Sequence, residues 1–173
     1  MNETMKTMLS RRSCRKYKTE QISDSDLDQI LLAGTYAASG MGRQAAKIVV
    51  VQDEATREQL RKMNAAVMGN PDIDPFYGAP TICVVLADPE VRTWNEDGSL
   101  VIGNLMLAAE SVGAASCWIH RAKEEFDSEE GKALLEKWGI DTRYRGVGHC
   151  ILGYADGEPA PAKERKADYI VKI

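Results

Sequence analysis

Thr81-Ile82-Cys83-Val84-Val85-Leu86 carries no charge and is rich in β-branched side chains. It follows a loop-like stretch, residues 70–80, that holds three prolines. A short apolar run bounded in this way reads as a strand buried on both faces. Downstream, Val101, Leu105, Ala108, Ala109 and Val112 share one face of a helix from about Gly98 to Val112. Ser116-Cys117-Trp118-Ile119 then reads as a further strand. Strand, helix and strand in this order require a sheet with helices packed on it.

Working outward, Ile48-Val49-Val50-Val51 is apolar on both faces and reads as a central strand. Helical spacing runs from Glu54 to about Met68 through Leu60, Met63 and Val67. Nearer the N-terminus, Ser23 is an N-cap with Asp26 three residues on. Leu27, Ile30, Leu31, Gly34 and Ala38 form the apolar stripe of the helix that follows, and Ser39-Gly40-Met41-Gly42 ends it. Short helices are expected at Glu3–Ser10 and Ser128–Trp138, and a fourth strand at Gly148–Tyr154. The polar arm Ala155–Ala167 leads to a last apolar strand, Asp168–Ile173. Alternating strands and helices define an α/β or α+β layer fold. Residues 1–173 are expected to form one domain.

Composition narrows the function. The chain is 44% hydrophobic and 28% charged, which is ordinary for a globular protein. A net charge of -4 argues against a nucleic-acid binder. No apolar stretch reaches the length of a membrane helix, so no membrane partner is expected. Met1–Ser10 has no apolar core of a signal peptide, and Cys14, Cys83, Cys117 and Cys150 are scattered singly. The expectation is a cytoplasmic protein with reduced thiols.

The basic residues are unevenly placed. Positions 11–18 hold five of the 22 (Arg11, Arg12, Arg15, Lys16, Lys18) without an acid, and Lys163, Arg165 and Lys166 cluster late in the chain. Arg11, Ser13 and Arg15 alternate, so in extended chain they share a face. Two guanidiniums and a hydroxyl on one face suit a phosphate. Such runs also occur as solvated surface. Gly40 to Ala45 spells G-x-G-x-x-A, but a helix precedes it and a strand follows, the reverse of a dinucleotide fold. It therefore reads as a compact small-residue turn, either a glycine helix stop or a bed for a flat ring. His149 lies in an apolar strand and reads as a core residue. Cys117 and His120 are too few for a metal site, so none is expected. No G-x-S-x-G occurs.

These elements, taken in order, resemble the FMN-dependent nitroreductase family in its short single-domain branch. The resemblance rests on Arg11-Arg12-Ser13-Cys14-Arg15, on Ala37-Ala38-Ser39-Gly40-Met41-Gly42-Arg43-Gln44 before a strand, and on Tyr77-Gly78-Ala79-Pro80. It continues through Gly103-Asn104-Leu105, Ser116-Cys117-Trp118-Ile119, Gly153-Tyr154 and Lys163-Glu164-Arg165. It implies an α+β fold with a mixed β-sheet flanked by helices. It also implies an intertwined homodimer, with Asp168–Ile173 crossing to the partner's sheet and FMN at the interface. Arg11, Arg12 and Ser13 would hold the phosphate and ribityl chain, and Lys163 and Arg165 would complete the phosphate clamp. Arg15 would face the pyrimidine edge, where a cation favours the reduced flavin. Ala38, Ser39 and Gly40 would come from the partner subunit. Trp118, Ile119, His120 and Arg121 would lie along the ring near N5, and Asn70 would reach the pyrimidine edge or ribityl chain.

The implied activity is that of an NAD(P)H oxidoreductase. NADH or NADPH and a nitroaromatic or quinone-type acceptor would take turns in ping-pong hydride transfer via flavin N5, with no catalytic acid or base from the protein. Ala38, Gly42, Ala45-Ala46, His120 and Arg121 depart from residues common in the family, and the roles of Asp97 and Cys117 stay open. Two alternatives also stay open: a specialised flavin enzyme (reductive dehalogenation or flavin fragmentation), and a non-catalytic FMN-binding dimer.

Overall fold

The computed structural model describes residues 1–173. In chain order the elements are α1 (Glu3–Ser10), α2 (Asp24–Thr35), β1 (Ala46–Val51), α3 (Glu54–Val67), β2 (Thr81–Ala87) and α4 (Trp94–Ser111). They continue with β3 (Ala115–Ile119), α5 (Ala122–Asp127), α6 (Glu129–Lys137) and β4 (Arg145–Gly153). The sheet order is β1-β2-β4-β3, every neighbouring pair antiparallel. A single parallel bridge, Ser13 to Ser116, extends it beyond β3. This is the α+β architecture with helices on both sheet faces.

Alternation along β2 divides the core in two. Ile82, Val84 and Leu86 join Leu60, Met63, Phe76, Phe126, Leu134 and Leu135 under α3, α5 and α6. Cys83, Val85 and Ala87 join Ile30, Ile102, Leu105, Cys150 and Leu152 under α2 and α4. Every residue of β2 is buried, which explains its uninterrupted apolar sequence. A register shift between Val85 and Leu86 breaks the β2–β4 ladder, as a bulge does.

Local signals place several helix starts. The Ser23 hydroxyl accepts the Asp26 N–H at 3.1 Å and donates to the Asp26 carboxylate at 2.8 Å. Asp53 caps α3 through the Thr56 N–H at 2.8 Å, and Ser128 caps α6 through the Gly131 N–H at 3.0 Å.

Four expectations need correction. Residues 48–51 belong to an edge strand, β1, because apolarity on both faces reports covered faces and not a paired edge. Asp168–Ile173 forms no strand within the chain; its apolar side chains lie exposed, with no neighbouring strand to bond. Helix α2 stops at Thr35, before Ala38, because Tyr36 and Ala37 turn their N–H groups back onto Ala33 and Gly34. Helix α4 begins at Trp94 rather than near Gly98: Gly98 lies inside the helix, where its missing side chain lets α4 press onto Val147. The short α5 was not foreseen.

Candidate functional site

The extended segment after α1 runs beside β3, with the Cys14 N–H bonded to the Ser116 carbonyl at 2.9 Å. This fixes Arg11, Ser13 and Arg15 along the outer edge of the sheet. The late arm folds back to the same place. Arg11, Arg12, Ser13, Arg15, Lys163 and Arg165 line one open cleft of about 1070 Å³. Six cationic side chains face it, counting Lys166, against Glu164 and Asp168. None of the six forms a salt bridge.

The cations are not equivalent. Arg12 Nη1 donates to the carbonyls of Leu9, Ser10 and Arg11 at 2.8, 2.9 and 2.8 Å, so it caps the C-terminal end of α1. Arg165 donates from Nε and Nη2 to the Lys163 carbonyl at 3.2 and 2.8 Å. Arg11 Nη1, by contrast, is buried with no partner. A buried guanidinium nitrogen without an acceptor is costly in isolation. The same charges act on β3. Burial pushes the Cys117 thiol above its ordinary value, while the Ser13 hydroxyl, Arg15 and Arg11 pull it part of the way back.

The other candidate residues lie elsewhere in the chain. Ala38 and Ser39 line a separate, mainly apolar groove of about 680 Å³ between α2, β1 and the start of α4. Gly40 adjoins it, and its N–H donates to Asp97 Oδ1 at 3.0 Å. A Cβ at Gly40 would collide with the Thr93 hydroxyl oxygen, so a larger residue there would require the Thr93 side chain to turn away. Asn70 sits on the exposed loop after α3, its Oδ1 accepting the Asp72 N–H at 3.3 Å. Trp118 packs on the α4 side of the sheet against Gly148. Ile119 is buried in the opposite core. His120 is exposed, and Arg121 is left-handed at φ 80°. The single chain thus unites the two basic stretches but not the Ala38–Gly40 turn with them.

Asp97, whose role the sequence leaves open, is 3% exposed, with Oδ2 buried and unpartnered. Sequence reading missed one group. Asn64, Glu125 and His149 form a buried polar cluster, invisible in sequence because they lie on three separate elements.

Comparison with known proteins agrees with this architecture. The model described as Nitroreductase family matches residues 8–154. An Archaeoglobus fulgidus protein, provisionally named NADH dehydrogenase/NAD(P)H nitroreductase, is 34% identical over 163 residues, spanning 91% of this chain and 88% of its own. The crystal structure of a Bacteroides fragilis nitroreductase with bound FMN superposes with a TM-score of 0.91 at 32% identity over 100% of both chains. A Desulfitobacterium hafniense nitroreductase with bound FMN gives 0.89 at 28% identity, covering 100% of this chain and 99% of its own. This chain belongs to the nitroreductase family.

Proposed function

We propose that the protein is an FMN-dependent NAD(P)H oxidoreductase that reduces nitroaromatic or quinone-type acceptors as a homodimer. One observation carries the reading: basic segments from opposite ends of the chain converge on one cleft, where Arg11 keeps a buried nitrogen without a partner. A phosphate monoester fits that charge and that orphaned donor. Relatives and structural neighbours named for FMN and NAD(P)H support the choice of ligand.

In this reading Arg11, Ser13, Lys163 and Arg165 hold the FMN phosphate. Arg12 contributes mainly by fixing the end of α1. Arg15 places positive charge at the pyrimidine edge, and the turn at His120–Arg121 lines the ring, beside Trp118 and Ile119. FMN, when bound, supplies the hydride-accepting and hydride-donating chemistry. The protein's part is to orient the nicotinamide donor and then the acceptor over one surface, in turn.

Two unsatisfied features support the homodimer. β1 pairs only with β2, leaving its outer edge open, whereas the outer edge of β3 meets Ser13. Tyr169, Ile170 and Val171 are each 75% exposed in the C-terminal arm. An open strand edge and an exposed apolar segment are complementary liabilities, and Asp168–Ile173 of one protomer laid on β1 of the other removes both. The Ala38–Gly40 turn then reaches the flavin of the partner, completing a site that one chain leaves half built. No helix is long and apolar enough to cross a membrane; the reading places the enzyme in the cytoplasm, where its four thiols stay reduced.

The test is direct. Purified protein should be a yellow dimer, or become one on adding riboflavin phosphate. NADH or NADPH should bleach it, and a quinone or nitroaromatic should restore the colour. Colourless protein that takes up no FMN defeats the proposal. Bound flavin that neither nicotinamide bleaches would instead mark a binding module.

A further inference from the structure

We propose that Asn64, on α3, is a positioning residue for the His120–Arg121 turn, with Glu125 and His149 holding its amide in register. The proposal rests on the flavin reading, which sets that turn beside the ring.

Asn64, Glu125 and His149 are all buried, on the side of the sheet covered by α3 and α5. Polar groups at such depth are costly unless they are bonded. The Asn64 carboxamide is fully engaged. Its Nδ2 donates to the His120 carbonyl at 2.9 Å and to Glu125 Oε1, and its Oδ1 accepts from Arg121 Nε at 2.9 Å. One side chain therefore grips the backbone of one residue and the guanidinium of the next. The amide has only one workable orientation, because Glu125 requires its NH2 and Arg121 its oxygen.

The gripped turn is conformationally unfavourable. Arg121 has φ 80° and ψ 3°, a left-handed conformation that costs energy for a residue with a Cβ. The Asn64 bonds, one to the preceding carbonyl of His120 and one from the Arg121 guanidinium, hold it there. The anchor for Asn64 is itself wedged in place. A Cβ at Gly146 would collide with the Ala122 carbonyl, and one at Gly131 with the Glu125 carbonyl, so both ends of α5 are seated by close approach. His149 pairs in register with Ile119, the residue before the turn, and its Nε2 lies 3.3 Å from Glu125 Oε2. Its ring meets Phe76 edge-on at 5.1 Å.

This cluster is not optimised for stability. Neither ring nitrogen of His149 nor Glu125 Oε2 makes a well-aligned hydrogen bond. Well-packed apolar residues commonly stabilise a fold at least as well as a buried, incompletely bonded polar cluster. What the polar residues provide is a fixed geometry for two consecutive residues at the end of β3, the strand that also carries the Ser13 bridge. Hydride transfer is sensitive to small misplacements of the groups that orient the donor.

The experiment compares wild type, Asn64→Leu, Glu125→Leu and Glu125→Gln, each saturated with FMN. The first reading is the rate at which NADH bleaches the flavin, with kcat and KM separated. The second needs no flavin: trypsin cleavage of the native protein at the Arg121–Ala122 bond, followed by mass spectrometry. Asn64→Leu should keep FMN affinity within about threefold, because the phosphate clamp is elsewhere, yet slow bleaching by about tenfold or more. It should also open the Arg121–Ala122 bond to trypsin. Glu125→Leu should move both readings the same way, and Glu125→Gln, which keeps an acceptor for Asn64, should recover most of the loss. If Asn64→Leu does not fold, Asn64→Ser takes its place. Wild-type bleaching in a folded Asn64 variant overturns the proposal, even if that variant melts earlier. If wild type itself takes up no FMN, the flavin reading has failed; the trypsin cut then decides whether Asn64 holds the turn.

Discussion

The Asp97 carboxylate, in the first turn of α4, accepts the backbone N–H of Gly40 at 3.0 Å. It ties the turn that follows α2 to a helix distant in sequence. With Oδ2 buried and unpartnered, the group is held for position. Asp97→Ala leaves a Gly40 donor without its acceptor and should cost about 1–3 kcal/mol in urea denaturation. Asp97→Asn, which keeps an acceptor oxygen, should cost less. Equal stability for the alanine variant would show that the turn does not depend on this bond.

Arg15→Ala should weaken FMN binding and slow flavin reduction by NADH. Flavin fluorescence titration and stopped-flow bleaching measure the two effects. Unchanged values would remove Arg15 from the site.

Replacing Lys163 and Arg165 together should weaken FMN retention most at low salt and leave the remaining retention less dependent on salt. Both residues are exposed, and exposed charges are screened over about 8 Å at physiological ionic strength. Equilibrium dialysis at low and high salt reads this out. Arg11→Ala should weaken retention at every salt concentration, since its buried nitrogen is less screened.

If the proposed homodimer forms through the C-terminal arm, deleting Asp168–Ile173 should yield a monomer that releases FMN, measured by light scattering and the visible spectrum. A truncated dimer that stays yellow would show that the arm is not the crossing element.

Burial pushes the Cys83 thiol up to about 12 and the Cys150 thiol well above its ordinary value. A raised folded-state value means the contribution to stability is complete below the unfolded thiol value, about 8.5, and is lost as pH rises toward the folded one. Native protein at pH 8 should leave Cys83 and Cys150 unreactive toward a thiol reagent, while the half-buried Cys14 reacts. Urea stability should decline above about pH 9, and less so in Cys83→Ala. Rapid labelling of all four thiols at pH 8 would contradict this burial.

Elements whose signal is local were legible in the sequence. The Ser23 cap, the apolar run of β2 and the helical spacing of Leu60 and Met63 need only neighbouring residues to be read. The two basic stretches were legible as local excesses of positive charge, because a linear count shows them; that they line one cleft was not. The rank of β1 in the sheet was not legible, since an apolar strand looks alike at the centre and at the edge. Nor was the Asn64–Glu125–His149 cluster, whose members sit on α3, α5 and β4 with no common periodicity.

By itself, then, the sequence determined where most strands and helices lie and where basic residues gather, at Arg11–Lys18 and Lys163–Lys166, because periodicity and charge are local properties of a chain. Only the tertiary structure decided that β1 has an open edge, that Asp168–Ile173 finds no strand within its own chain, and that Asn64 grips Arg121. Those facts depend on which surfaces meet when the helices close over the sheet, and packing is a property of the folded chain as a whole.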